Sequence, residues 1–308
     1  MLNFIHKPVM LTEVLAAVSP RPDRLFVDGT AGGGGHAAAI LEASSPTGRL
    51  FGCDRDGAAI EAATRRLAPF VGRFELQRGN FSGLADWLAP ASADGVVLDL
   101  GVSSHQLDEA ARGFSFQRDA RLDMRMDDRQ ALTAAELINT WSETALAKIF
   151  WDLGDEPQGR RFARAIVMER QQHRIETTGQ LASLIERASA HRGKVHPATR
   201  VFMAVRMALN DEIRSLQSGL AAACTVLKPG GRLAVITFCS TEDRIVKAFG
   251  REQCRDYEFD GEVDVPELRR PRAPVMRWVS RKAIQPSAAE VSENPRARSA
   301  QLRVLEKL

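Results

Sequence analysis

The chain has 308 residues, 44% hydrophobic and 26% charged, an ordinary globular make-up that excludes a disordered chain or a fibre. At roughly 100–200 residues per domain the length predicts about two domains, with core enough to need no disulfide or metal staple. Lys and Arg number 42 against 39 Asp and Glu, so the net charge of +3 gives little argument by itself for a nucleic-acid partner.

Leu2, Phe4 and Ile5 are interrupted at once by His6, Lys7 and Pro8, too short a run for a secretory signal. No stretch approaches the roughly 20 apolar residues of a membrane span. The expectation is a soluble, cytoplasmic chain with no membrane partner. Leu25–Val27 reads as a short buried strand ending at Asp28 and a glycine-rich turn, followed by helical composition over 37–43. A second strand, 49–53, ends at Asp54 before a helix over 58–67. Strands over 74–76 and 96–98 follow, the latter ending at Asp99. Strands spaced by helices in this way predict an α/β fold with a parallel, doubly wound sheet.

From Leu132 to Ala190 only helical patterns occur. Thr133 and Glu136 have capping-box spacing; Leu146, Ile149, Phe150 and Leu153 share one face before Gly154, and Leu181, Leu184, Ile185 and Ala188 repeat the pattern. The spacing of Leu209, Ile213, Leu216, Leu220 and Leu227 predicts one continuous helix, ended by the turn Lys228-Pro229-Gly230-Gly231. A strand over 232–236 follows, with further strands over 276–279 and 301–305. The predicted organisation is a nucleotide-fold domain, 1–108 with 209–308, interrupted by a helical insertion over 109–208. Cys53, Cys224, Cys239 and Cys254 are scattered without Cys-x-x-Cys spacing, which points to reduced thiols and no zinc site.

The loop from Asp28 to His36 admits two cofactors. Gly32, Gly34 and Ala37 fit a dinucleotide fingerprint, with Asp54 placed to hold a ribose. S-adenosylmethionine also carries an adenosine ribose, so Asp54 does not discriminate. Asp28 does: its carboxylate suits a cationic amino acid group and repels a pyrophosphate. Asn80-Phe81 after the third strand and the Leu227–Leu233 turn also favour S-adenosylmethionine. Taken singly, Asp28 is equally a turn cap and Phe81 a core side chain; their order along the chain makes the case. No GK[ST] string is present for a nucleotide-hydrolysing loop.

Longer strings go further: Asp99–Ser104, Gln106-Leu107-Asp108, Arg112–Phe116, Leu122–Asp127, His196–Arg200, Glu242–Lys247 and Asn294–Ser299. From His6 to the last strand the sequence resembles the ribosomal RNA small subunit methyltransferase H family, also called MraW. The resemblance implies a Rossmann-like class I methyltransferase sheet with an inserted, substrate-facing helical domain. It implies S-adenosylmethionine as cofactor and N4-methylation of a decoding-centre cytidine in 16S rRNA within the small ribosomal subunit. Gly34, Gly35, His36, Asp54, Phe81, Asp99 and Gln106 match the family's cofactor-contacting positions. Oligomeric state, monomer or homodimer, is left open. The sequence departs from the family at Cys239, where a His is usual, and over Met203–Met207.

Methyl transfer from a sulfonium to an exocyclic amine is a direct displacement that needs no metal, so positioning dominates. The cytosine N4 lone pair is delocalised into the ring, and an acceptor for an N4 hydrogen helps to localise it. Asp99 occupies the place where many amine methyltransferases carry an Asp/Asn-Pro-Pro-aromatic string, without the prolines or the aromatic. It is the candidate catalytic acceptor, against the equally weighted reading that it only orients cofactor. Phe114 and Phe116, between Arg112 and Arg118, offer either a stacking platform for a flipped base or core packing, the second being the commoner fate. Arg121, Arg125, Arg200, Arg206, Arg296 and Arg298 are candidate phosphate contacts or ordinary salt-bridge partners. His196 before Pro197 reads as a helix start. The rival functions are methylation of another RNA and a catalytically silent ribosome-assembly factor.

Overall fold

The computed structural model describes residues 8–190, 196–259 and 263–308; Leu2, Phe4, Ile5, His6 and Lys7 lie outside the described residues. In chain order, α1 (Leu11–Val18), β1 (Leu25–Asp28), α2 (Gly35–Ala43), β2 (Arg49–Asp54), α3 (Gly57–Leu67), β3 (Phe74–Arg78), α4 (Leu84–Trp87) and β4 (Ala93–Asp99) come first. The helices α5 (Ser104–Asp108), α6 (Ala134–Thr140), α7 (Glu143–Asp152), α8 (Gly159–Arg170), α9 (Thr178–Ala188) and α10 (Ala198–Leu209) follow. Then come α11 (Glu212–Val226), β5 (Leu227–Thr237), α12 (Ser240–Gln253), β6 (Tyr257–Phe259), β7 (Arg269–Pro271), β8 (Met276–Trp278), α13 (Ala288–Glu293) and β9 (Gln301–Lys307). The chain divides into two compact units, Met1–Gly101 with Ser215–Leu308, and Val102–Arg214.

The first unit is built on a seven-stranded sheet in the order β3-β2-β1-β4-β5-β9-β8. The first five strands run parallel, and β9 and β8 are antiparallel to their neighbours. Alternation along the strands feeds two cores. Val27, Val96, Leu98, Leu233 and Val235 face one way, against Leu216, Leu220 and Ala223 of α11 and Val246 of α12. Phe26, Val97, Ala234 and Ile236 face the other, with Val14 of α1 and Ile40 and Leu41 of α2. This is the Rossmann-like α/β fold. Strand order reverses between β1 and β4, and in such sheets ligands bind outside the carboxyl ends of the strands at that switch point.

The second unit packs α6 to α10 around Phe150, Phe162, Ile166, Leu181, Ile185, Val201 and Val205. Thr133 and Glu136 form a capping box at the start of α6. The continuous helix expected from Leu209 to Leu227 is not formed. Asn210 ends α10: its Nδ2 donates to the carbonyls of Met124 and Arg206 at 2.9 Å each, and its Oδ1 accepts the Met126 N–H at 2.8 Å. Asp211 then turns left-handed with φ 48, so the apolar stripe belongs to two helices. Leu227 is a strand residue paired with Ala93, and Lys228–Gly231 form an irregularity inside β5 before pairing resumes at Arg232.

Candidate active site

Three carboxylates end three adjacent strands: Asp54 on β2, Asp28 on β1 and Asp99 on β4. Neighbouring strands lie about 4.8 Å apart, so the sheet itself gathers these acids. Asp28 is fully buried; one carboxylate oxygen accepts the Thr30 N–H at 3.2 Å and the other, Oδ2, has no hydrogen-bond partner among the described residues. Burial, reinforced by Asp54, raises its pKa from 3.8 to about 7. Asp54 uses both oxygens on the loop, accepting from Gly32 N at 2.9 Å and Asp56 N at 2.9 Å. Burial raises its pKa as well. Asp99 Oδ1 also has no hydrogen-bond partner among the described residues, and burial, then the charges of Asp28 and Glu242, hold its carboxyl well above the usual range.

Thr30 ties two of these strand ends together. Its N–H donates to Asp28, while its hydroxyl oxygen accepts the Asp99 N–H at 2.6 Å. Sequence reasoning passed over Thr30, although a hydroxyl residue two places after a strand-end Asp is an ordinary turn signal. His36, in the first turn of α2, is 5% exposed. Its Nε2 lies 3.0 Å from the Val9 carbonyl, which only accepts, so Nε2 carries the hydrogen. Nδ1 is thereby left facing Asp99 Oδ2 at 3.8 Å.

Gly34 caps α2 with φ 76, where a side chain would be strained, and a Cβ there would stand 3.1 Å from the Ala63 Cα of α3. A Cβ on Gly35 would reach within 2.4 Å of Pro8. Both glycines therefore serve close packing of the loop. Phe81 is half-buried after β3, and its ring occupies the space that a Cβ on Gly219 of α11 would take, at 2.2 Å. Beside it, Asn80 Nδ2 and Arg55 Nη2 both donate to the Ser215 hydroxyl, at 2.8 and 3.0 Å. Neither Gly219 nor Ser215 stood out in the sequence, because their importance arises from residues more than a hundred positions away.

Of the seven cofactor candidates, Gly34, Gly35, His36, Asp54, Phe81 and Asp99 lie in the sheet unit. Gln106 lies in the helical unit, 5% exposed, with its Oε1 accepting the Ser103 N–H at 3.0 Å in the capping box of α5. Phe114 is buried in the helical core, and Phe116 packs edge-on to Phe202 with centroids 4.8 Å apart; core packing describes both. Arg125 is held by Asp123 at 2.8 Å, Arg206 by Glu212 at 2.8 Å, and Arg200 donates to the Asp155 carbonyl. Arg121, Arg296 and Arg298 are exposed. His196 Nδ1 accepts the Ala198 N–H at the start of α10, as a helix-starting residue does. At the family departure, Cys239 caps α12, whose Glu242 accepts the Phe238 and Cys239 N–H groups. Among the described residues no group of three His, Cys, Asp or Glu side chains converges to hold a metal ion.

The buried Asp28 and the part-buried Asp99, each with one oxygen unsatisfied among the described residues and each made harder to ionise by a neighbouring acid, form a site for a cation. A pyrophosphate there would add repulsion to an arrangement already short of positive charge. The sequence model of the MraW methylase family matches residues 3–308. The chain belongs to that family. It is 50% identical to the ribosomal RNA small subunit methyltransferase H of Symbiobacterium thermophilum over 100% of this chain and 98% of that one. It is 49% identical to the protein of that name from Geobacter sulfurreducens, over 100% of each. Among solved structures, one described as a putative rRNA-methylase from Clostridium thermocellum aligns over 98% of this chain and 99% of that one, with 12% identity and a TM-score of 0.46. The family is one of methylases, and S-adenosylmethionine is its cofactor; the acidic row fits that cofactor's cationic sulfonium and amino groups.

Proposed function

We propose that the chain methylates the N4 amine of a decoding-centre cytidine in 16S rRNA, within the small ribosomal subunit and in the cytoplasm. The observation that carries the reading is the row Asp54, Asp28, Asp99 at the carboxyl ends of the strands, with Asp28 Oδ2 and Asp99 Oδ1 unsatisfied among the described residues, in a chain that matches its family over residues 3–308. The rRNA substrate rests on the names of the full-length relatives.

S-adenosylmethionine, when bound, supplies a methyl group on a sulfonium that leaves as a neutral thioether. Asp28 answers the positive charge of the amino acid portion. Asp54 keeps a second lone pair on each oxygen for a ribose hydroxyl, and Phe81 offers a flat apolar face for adenine. Gly34, Gly35 and His36 shape the loop beneath, with His36 fixed by the Val9 carbonyl. Asp99 accepts a hydrogen of the cytidine N4, so that the nitrogen forms its bond to the methyl carbon as its proton passes to the carboxylate. With the cofactor bound, its carbon–sulfur bond would break in the same displacement, leaving the neutral thioether. Asp99 accepts only when ionised, and the positive charge of a bound sulfonium would favour the carboxylate form that burial, Asp28 and Glu242 disfavour.

The test is transfer of labelled methyl to undermethylated small subunits and, in parallel, to naked 16S rRNA, with nucleoside analysis of the product. N4-methylcytidine in the subunits is expected. Cofactor binding without transfer to either RNA would overturn the substrate assignment. Asp99→Asn is expected to lower kcat about a hundredfold or more while cofactor affinity changes little. Wild-type turnover by that variant at saturating cofactor would end the catalytic role.

A further inference from the structure

The helical unit carries a surface that the cofactor site does not use. Residues 159–174 hold five arginines, Arg160, Arg161, Arg164, Arg170 and Arg174, against one acid, Glu169, in a chain whose total charge is +3. On α8, Gly159, Phe162, Ala163 and Ile166 are buried, which turns Arg160, Arg161, Arg164 and Met168 outward. Among the described residues neither Arg160 nor Arg161 has an ion-pair partner. Arg164 Nε stands 3.7 Å from Glu143, with both side chains well exposed, a pairing worth little in water. Arg160 and Arg164 stand four residues apart with like charge, a spacing that destabilises an isolated helix.

An aromatic lies at one end of the stripe. Trp151, in the last turn of α7, is 64% exposed, too open to owe its place to the core. A Cβ on Gly159 would stand 3.5 Å from the Trp151 backbone nitrogen, so the start of α8 packs directly on this turn. At the other end, after about 15 Å of helix, lies a cavity of about 270 Å³ whose polar lining includes His173, Arg174, Gln180, Ser183 and Arg187, with Glu169 as its one acid. Arg187 meets Glu169 at 3.4 Å, again with both groups exposed.

We propose that the outer face of α8, from Trp151 through Arg160, Arg161 and Arg164 to the cavity at His173, is a docking track for single-stranded RNA. The arginines neutralise consecutive phosphates, and the indole stacks on a base, which needs no particular sequence. The inference rests on the rRNA reading above and assigns that substrate a contact surface outside the cofactor site. Arg160 and Arg161 have no acid partner among the described residues, and Glu143, Glu169 and Glu176 meet Arg164, Arg187 and Arg174 only at 3.4–3.8 Å on the surface, so the track keeps an excess of positive charge that suits a polyanion.

The experiment measures binding of undermethylated small subunits between about 50 and 200 mM salt, together with methyl transfer and S-adenosylmethionine binding. The triple variant Arg160→Gln, Arg161→Gln, Arg164→Gln is expected to weaken subunit binding about tenfold or more. Its log–log salt slope should be shallower by about 2, since each lost phosphate contact removes about 0.7. Cofactor affinity and kcat at saturating subunits stay at wild-type values. Trp151→Ala loses about tenfold and Trp151→Phe keeps most of the affinity. A control triple on the sheet unit, Arg21→Gln, Arg65→Gln, Arg66→Gln, removes the same charge and is expected to leave binding unchanged. Unchanged affinity and slope in the α8 triple, or an equal loss in the control, would overturn the proposal. If the glutamine triple also loses cofactor binding, the lysine triple at the same positions decides: wild-type affinity supports the track and a matching loss overturns it. A wild-type chain that neither binds nor methylates subunits sinks the rRNA reading itself; one that does both, with α8 variants unaffected, sinks only the track.

Discussion

Replacing Asp28 with Asn tests whether the site gives up stability to hold a cation. The folded carboxyl titrates at about 7 against an ordinary 3.8, so between those values the folded chain holds a proton that the unfolded chain has released. Stability contributed at this group therefore falls as pH rises through the window, and the full cost stands above about pH 7. A carboxyl displaced that far from its ordinary acidity costs the folded chain about 4 kcal/mol once ionised. An asparagine removes the charge but leaves a buried amide to satisfy, which costs about 1–3 kcal/mol. At pH 8 the ligand-free variant should then be more stable than the parent by about 1–3 kcal/mol, a rise in Tm of several degrees at about 2–4 °C per kcal/mol. At pH 5 the carboxyl is already neutral and the advantage vanishes or reverses. S-adenosylmethionine affinity should move the other way: in the parent it strengthens about tenfold per pH unit up to about 7, and in Asp28→Asn it is weak and nearly flat. Thermal melts at both pH values with cofactor titrations at each provide the assay. A variant destabilised equally at pH 5 and pH 8, or one that binds cofactor like the parent, refutes the reasoning.

The remaining predictions concern packing and polar networks. Gly219→Leu would drive a side chain into the Phe81 ring; KM for S-adenosylmethionine should rise about tenfold, and restoring space with a second change, Phe81→Ala, should not recover it, because the apolar face is gone. Asn210→Ala strips partners from the Met124 carbonyl and the Met126 N–H; urea unfolding should show a loss of about 2–4 kcal/mol in the helical unit. Asp243 pairs with Arg303 at 2.5 Å, both side chains being under a tenth exposed, and Arg303 and Lys247 hold its carboxyl below the usual range. Its stabilising effect is present above the unfolded carboxyl's pKa and is lost as pH falls through the lower folded value, so Asp243→Ala should cost about 3–5 kcal/mol at pH 7 and less in acid.

The parts legible in the sequence are those whose causes are local. A strand, an Asp and a glycine turn lie within ten residues, so the ends of β1, β2 and β4 could be placed and their acids assigned to one edge of a sheet. The capping box at Thr133 is legible for the same reason. What escaped is set by distant partners. The Leu209 to Leu227 stripe is continuous, and only hydrogen bonds from Asn210 to residues more than eighty positions earlier break it. Phe81 reads singly as a core side chain, and that its ring rests on Gly219 of α11 depends on a residue more than a hundred positions away. Arg125 and Arg206 read equally as phosphate contacts or salt-bridge partners, and the structure pairs them with the nearby acids Asp123 and Glu212. The inward side of α12 mixes Val246 with the buried Thr241, Glu242, Asp243 and Gly250, so it does not read as an apolar stripe.

The strand order also governs how the sheet is made. β9 fills an interior position between β5 and β8, although it follows both of them in the chain. Until residues 301–307 have left the ribosome, β5 presents an unpaired edge and β8 has no partner at all. Leu233, Ala234, Val235 and Ile236 are completely buried in the finished sheet, and that edge must wait exposed while the preceding segment is synthesised. Closure of the fold is therefore a late event, and the nascent chain passes through a stage in which a hydrophobic edge is open to mispairing and to chaperones.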